Sequence, residues 1–251
     1  MKIILDALNN ILQILCSVSP LLKKCSLLFT TKIYLKSTLM FDDKQCYISQ
    51  SVYKTTEHLD FVTRDSMECF QKLQSFLHSY DYQVIPFSES LSAKNVIHLG
   101  GPAANINVNS LFVTKYKNFI TYTPLENKNR HEKLGLNVSC FKYTNETSEY
   151  KRGFKIGNVL LSLDEPGIDY GIFIRIPRCK KDGINHTIHV IFCAWAPATI
   201  AAVSFFIDDY KMIAKKFKKS KYCFAIKISR INNHILPIDD HSIIDLTEQF
   251  F

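Results

Sequence analysis

The sequence predicts an α/β fold: a mostly parallel sheet flanked by helices, with an N-terminal helical extension and some antiparallel β additions. Three observations carry this. A strongly amphipathic segment over 65–80 leads into two apolar strand candidates, 82–87 and 95–100. The stretch "HTIHVIFCAWAPATIAAVSFFIDDYKMIAKKF" (186–217) passes from an apolar strand through a short turn into a long apolar helix. "YCFAIKISRI" (222–231) then returns as a strand, and strand–helix–strand units on short links are how parallel sheets are built.

Residues 1–60 read as the helical extension and 61–251 as the α/β domain. Leu5, Leu8, Leu12 and Leu15 recur at helical spacing, so an amphipathic helix is expected over 2–16, with a second over 20–29. Asp6, Asn9, Asn10 and Gln13 interrupt the first apolar run, and Pro20, Lys23 and Lys24 the second. Neither run reaches the roughly 20 residues of a membrane-spanning helix, so the helix is assigned to a protein partner or a second copy of the chain, not to a membrane. "KIYLKSTLMF" (32–41) and "KQCYISQSVYKTT" (44–56), rich in β-branched and aromatic residues, are expected as short strands.

In the domain, Asp65 is the expected N-cap of the first helix, with Glu68 completing a capping box. Met67, Phe70, Leu73, Leu77 and Tyr80 form its apolar face. A polar helix over 102–116 carries Asn105, Asn107 and Asn109. Short β segments follow at "FITYT" (119–123), "LNVSCFKY" (136–143) and "NVLLSL" (158–163), with "ENKNRHEKLG" and "TNETSEYKRG" between them as exposed loops. "DYGIFIRIPR" (169–178) is one more strand.

A chain of 251 residues, 47% hydrophobic and 22% charged, can bury one sizeable core. Its net charge of +8 suits anionic partners, but no nucleic-acid motif accompanies it, so nucleic acid is not the expected ligand. The eight cysteines form no CxxC pair and no Cys/His cluster, which argues for reduced, buried thiols in a cytoplasmic protein and against a metal or other cofactor. Lys211, Lys215, Lys216, Lys218, Lys219 and Lys221 crowd the end of a helix, where they would complement its dipole, the alternative being docking to nucleic acid or an anionic membrane.

Ligands of open α/β sheets bind where strand-to-helix turns present backbone N–H groups. Two turns qualify. In "NVIHLGGPAAN" (95–105), Gly100, Gly101 and Pro102 end a strand, and Asn105 lies one turn into the following helix. In "CAWAPAT" (193–199), Thr199 opens a helix beside Trp195, the chain's single tryptophan. Ligand contact is therefore assigned to Gly100, Gly101, Pro102, Asn105, Trp195 and Thr199. His98 precedes the glycines as a buried strand residue. Asp164, Glu165 and Asp169 are candidate acid and base groups, and Asp169 also a candidate ribose partner.

The stretch "HVIFCAWAPATIAA" resembles the strand, glycine-rich turn and helix of the SLOG-like Rossmannoid proteins, a superfamily related in layout to the nucleoside deoxyribosyltransferases. "GGPAAN", with Asp169-Tyr170-Gly171-Ile172, is similar to a GGP-x-x-N and D-x-G-[IV] pairing in bacterial proteins of uncertain function. The resemblance implies a Rossmann-like domain over roughly 60–230 that binds nucleotides or nucleosides. Its Gly-Thr pair falls on Ala198-Thr199, and its glutamate, three residues on, falls on Ala202. Losing that carboxylate implies binding or sensing by a catalytically degenerate domain. An N-glycosidic-bond hydrolase or transferase that uses Asp164, Glu165 or Asp169 is the alternative, and a non-catalytic protein-interaction module is the third reading.

Overall fold

The computed structural model describes residues 20–41, 43–50, 52–54, 60–86, 95–177, 186–231, 234–236 and 242–251. The helix expected over 2–16 lies outside them.

Helix α1 (Pro20–Leu39) precedes strand β1 (Gln45–Ser49) and a hairpin of β2 (Val52–Lys54) and β3 (Asp60–Val62). Helix α2 (Arg64–His78) then leads through β4 (Gln83–Pro86) to β5 (Val96–Leu99) and α3 (Ile106–Lys115). A second sheet follows, made of β6 (Phe119–Pro124), β7 (Phe141–Thr144), β8 (Gly153–Ile156) and β9 (Val159–Ser162), with the short α4 (Lys128–Lys133) between β6 and β7. The chain returns through β10 (Ile168–Pro177), β11 (Thr187–Phe192), α5 (Ala196–Asp208), α6 (Tyr210–Lys216) and β12 (Tyr222–Ile231). It ends with β13 (His234–Ile235), β14 (Ile243–Asp245) and α7 (Thr247–Phe250).

Among the described residues the main sheet has eight strands in the order β13-β12-β10-β11-β5-β1-β4, with β14 also on β12. Strands β4, β1, β5 and β11 are mutually parallel, whereas β10 runs against both β11 and β12. The fold is therefore α/β, with a parallel core and antiparallel additions. Helices α1, α2, α5 and α6 cover one face, burying Leu35, Leu39, Leu73, Leu77, Ala202 and Phe206. The second sheet, α3 and α7 cover the other, burying Phe112, Phe119, Phe154 and Phe250. Strands sandwiched this way need apolar residues on both sides, which is why β5 and β11 read as largely apolar runs, interrupted by His98 in one and by Thr187 and His189 in the other, and are buried throughout.

Several expectations change. The segment 32–41 is the end of α1, not a strand, because Leu35 and Leu39 sit one turn apart and both reach the core. Strand β1, expected in the extension, lies between β4 and β5 within the sheet. Thr63, not Asp65, caps α2, its side chain accepting from Ser66 N–H at 3.2 Å. The buried stripe of α2 is Cys69, Leu73 and Leu77, and Met67 stays exposed. The polar connectors are partly ordered: one contains α4, and β8 begins at the end of the other.

Of the asparagines that made α3 look weak, Asn105 and Asn109 have side-chain partners. Asn109 donates to Asn137 O at 3.0 Å and accepts from Asn137 N–H at 2.9 Å, tying α3 to the second sheet. Arg175, the one charge in the apolar run of β10, is 1% exposed. Its guanidinium donates to the carbonyls of Ser37 and Thr38 at the end of α1, both at 2.8 Å. It also donates to Phe217 (3.2 Å), Lys219 and Ser220 (3.1 Å) after α6, and it stacks on the Tyr222 ring. One side chain thus satisfies carbonyls left open at two helix ends.

Candidate functional site

β5 and β11 pair in parallel as far as Leu99 and Ile191, and Gly100 N–H continues the ladder to Ile191 O at 3.0 Å. The turns after these strands therefore leave the same edge side by side. The chain from β5 enters α3 on one face, while its neighbours β1 and β11 lead to α2 and α5 on the other. β5 is thus flanked by points where the crossover switches faces, and such points open the crevices in which α/β proteins hold ligands.

The two glycines answer to different constraints. Gly100 has φ 93, in the left-handed region that side chains avoid. At Gly101 a Cβ would meet the Phe192 ring at 2.7 Å, so this glycine lets the first turn lie against the end of β11. Gly101 O accepts from the N–H groups of Ala104 and Asn105, closing the turn. Pro102 is buried within that turn, which precedes α3.

Asn105 is the N-cap of α3, where its carbonyl accepts from Asn107 N–H at 3.1 Å, and not a residue one turn inside. Its amide donates to Leu99 O at 3.0 Å and to Ser49 Oγ at 3.1 Å, so both donors serve the fold and bind the ends of β1 and β5 together. Beside them, Gln50 donates to Ser66 O at 3.3 Å and holds the start of α2.

At the second turn, Asp169 Oδ1 accepts from Tyr170 N–H (2.6 Å) and Ala194 N–H (3.2 Å), and Oδ2 from Trp195 N–H (2.8 Å). This aspartate shapes the entry to α5 and places a carboxylate at that helix's positive end. Burial raises its pKa from 3.8 to about 6, while the three amides and the nearby Arg230 charge oppose the rise. Trp195 is half-buried against the core and carries the Arg230 guanidinium over its ring at 4.2 Å. Thr199 hydroxyl lies over Trp195 O at 3.4 Å in the first turn of the helix. Cys193 next to them is buried, and burial holds its thiol well above the usual range, so it is no nucleophile.

The remaining carboxylates are directed elsewhere. Asp164 accepts from Lys151 N–H, Arg152 N–H and the Ser162 hydroxyl at the end of the second sheet. Glu165 pairs with Lys227 at 3.7 Å. Asp169 alone of the three reaches the turn. Ala202, at the position where a glutamate was implied, is fully buried, and a Cβ on Gly171 would sit 3.1 Å from its own. A carboxylate at 202 would face the sheet, not the crevice. His98 is buried, as its place in an apolar strand implies. Among the described residues no group of His, Cys, Asp or Glu is arranged to hold a metal ion.

Reasoning from sequence did not single out Arg230, Gln50 or Ser49. Arg230 could be suspected as a charge closing an apolar strand, but its pairing with Trp195 depends on two non-adjacent strands reaching one edge. The chain matches no protein-family profile, no curated protein and no solved structure.

Proposed function

We propose that this chain binds or senses a nucleotide- or nucleoside-derived small molecule in the crevice above β1, β5 and β11, and that it does not cleave the ligand. The observation that carries the reading is the adjacency of the turns 100–105 and 194–199 at a change of crossover face, the Rossmann-like feature of the sheet. In this reading Gly100, Gly101 and Pro102 form the floor, and Thr199 Oγ, whose proton goes to Trp195 O, accepts from a ligand donor. Trp195 and Arg230 offer a flat cationic surface to a base or a phosphate. Asn105 and Asp169 hold the two turns in place, because their polar atoms already serve backbone and side-chain partners.

Titration calorimetry with nucleosides, nucleotides and NAD tests this. One class of these binds, Trp195→Ala or Arg230→Ala weakens it about tenfold, and the melting temperature of the free protein stays unchanged in Arg230→Ala, whose side chain is exposed. Binding that ignores both substitutions would remove the site from this crevice.

One observation favours the alternative of N-glycosidic-bond chemistry. A buried carboxyl titrating near 6 beside a helix entry is the kind of group that acid–base catalysis uses. Release of free base from any of these compounds, abolished by Asp169→Asn, would establish that reading in place of pure binding.

A further inference from the structure

The lysines after α6 are usually explained as partners of the helix dipole. Here that role is filled from within the protein. The carbonyls of Ser37, Thr38, Phe217, Lys219 and Ser220 converge on the buried Arg175 guanidinium. Lys36, Lys216 and Lys218 each stand one residue from one of those carbonyls, so one buried group gathers their backbones around a single centre.

The ion pairs among the described residues are Lys32–Asp81, Lys219–Glu248 and Lys227–Glu165. Lys36, Lys211, Lys215, Lys216 and Lys218 have no carboxylate partner among the described residues. Lys44 belongs to the same surface: burial chiefly lowers its pKa, and the charges of Lys32 and Lys36 add to the effect against that of Asp81. Lys215 reaches across to α1, its Nζ 5.5 Å from the Tyr34 ring centre.

Apolar side chains stand among these charges. Phe29 (56% exposed), Lys32, Lys36 and Met40 (37% exposed) follow one another at helical spacing along and just beyond α1. Exposed apolar groups alternating with lysines suit a bilayer interface, where the first enter the headgroup region and the second meet anionic lipid. Phosphate backbones alone would give the apolar pair no role.

We infer that the surface formed by the end of α1 and by α6 with its following lysines docks the protein onto an anionic membrane surface. The end of α1 leads into β1 and α6 leads into β12, so this surface lies at the opposite ends of the strands from the crevice and would carry the ligand site away from the bilayer. The described residues contain no helix long and apolar enough to cross a membrane, so the contact is peripheral.

Co-sedimentation of the full chain with vesicles tests the inference. Vesicles of phosphatidylcholine containing about one-third phosphatidylserine should pellet the protein, pure phosphatidylcholine should not, and salt of about 0.5 M should release it. A combined Lys215→Glu, Lys216→Glu, Lys218→Glu variant should bind about a hundredfold more weakly at an unchanged melting temperature. Phe29→Ser should weaken binding severalfold without changing the salt dependence. Absence of binding to the anionic vesicles, or binding undiminished in the triple variant, overturns the inference. So does binding confined to an oligonucleotide, which would assign the lysines to nucleic acid.

Discussion

Two buried titratable side chains hold opposite ends of the sheet, and they respond to pH in opposite directions. Asp169 has its pKa raised to about 6 by burial. Its favourable contribution is therefore fully present below the unfolded value near 3.8 and is lost as pH rises through about 6. Comparing wild type with Asp169→Asn by urea unfolding between pH 4 and 7 should reveal this: the wild type loses about 3 kcal/mol relative to the variant across that window. His189 behaves oppositely. It is wholly buried, its Nε2–H donates to Leu39 O at 2.9 Å, and burial lowers its pKa from 6.5 to about 3. Its contribution is present above 6.5 and lost as pH falls towards about 3, so His189→Gln should make unfolding less sensitive to acid. The two slopes overlap, and the single variants are needed to separate them.

At the scale of elements, two close contacts decide how helices seat on the sheet. Arg175 joins α1 and α6 to β10 through five backbone carbonyls. Lysine retains the charge but cannot reproduce the planar fork, so Arg175→Lys should lower stability by about 3 kcal/mol, read from the urea midpoint. Gly171 leaves room for Ala202 of α5, and Gly171→Val should cost about 1–3 kcal/mol through overpacking. Elements were legible in the sequence where periodicity and burial agree, as in α2, β5, β11, α5 and β12. The strand expected over 32–41 failed because β-branched residues signal a strand only weakly, and the packing of Leu35 and Leu39 outweighs them. The N-cap of α2 was misplaced by two residues because Thr63 and Asp65 are both competent caps. Only the incoming direction of the chain selects between them.

For the whole molecule, what local sequence could not convey was strand order. The glycines at 100 and 101 and the turn at 194–199 were visible as strand ends, but their adjacency follows from the pairing of β5 with β11, 92 residues apart at the Leu99–Ile191 partners. The role of Asp169 was hidden for the same reason, since its oxygens meet N–H groups 25 and 26 residues further along the chain. Strand direction also separates the crevice from the lysine surface: α1 and α6 lead into the beginnings of β1 and β12, whereas the crevice lies past the ends of β1, β5 and β11. The central claim is that the crevice holds a nucleoside-type ligand without breaking it. Thermal unfolding with nucleosides, nucleotides and NAD, combined with chromatography for released base, tests it most directly. At about a hundredfold excess over the dissociation constant, a true ligand should stabilise the protein by about 2.7 kcal/mol, with no base released. No shift with any of these compounds, or base release that Asp169→Asn abolishes, would contradict the account.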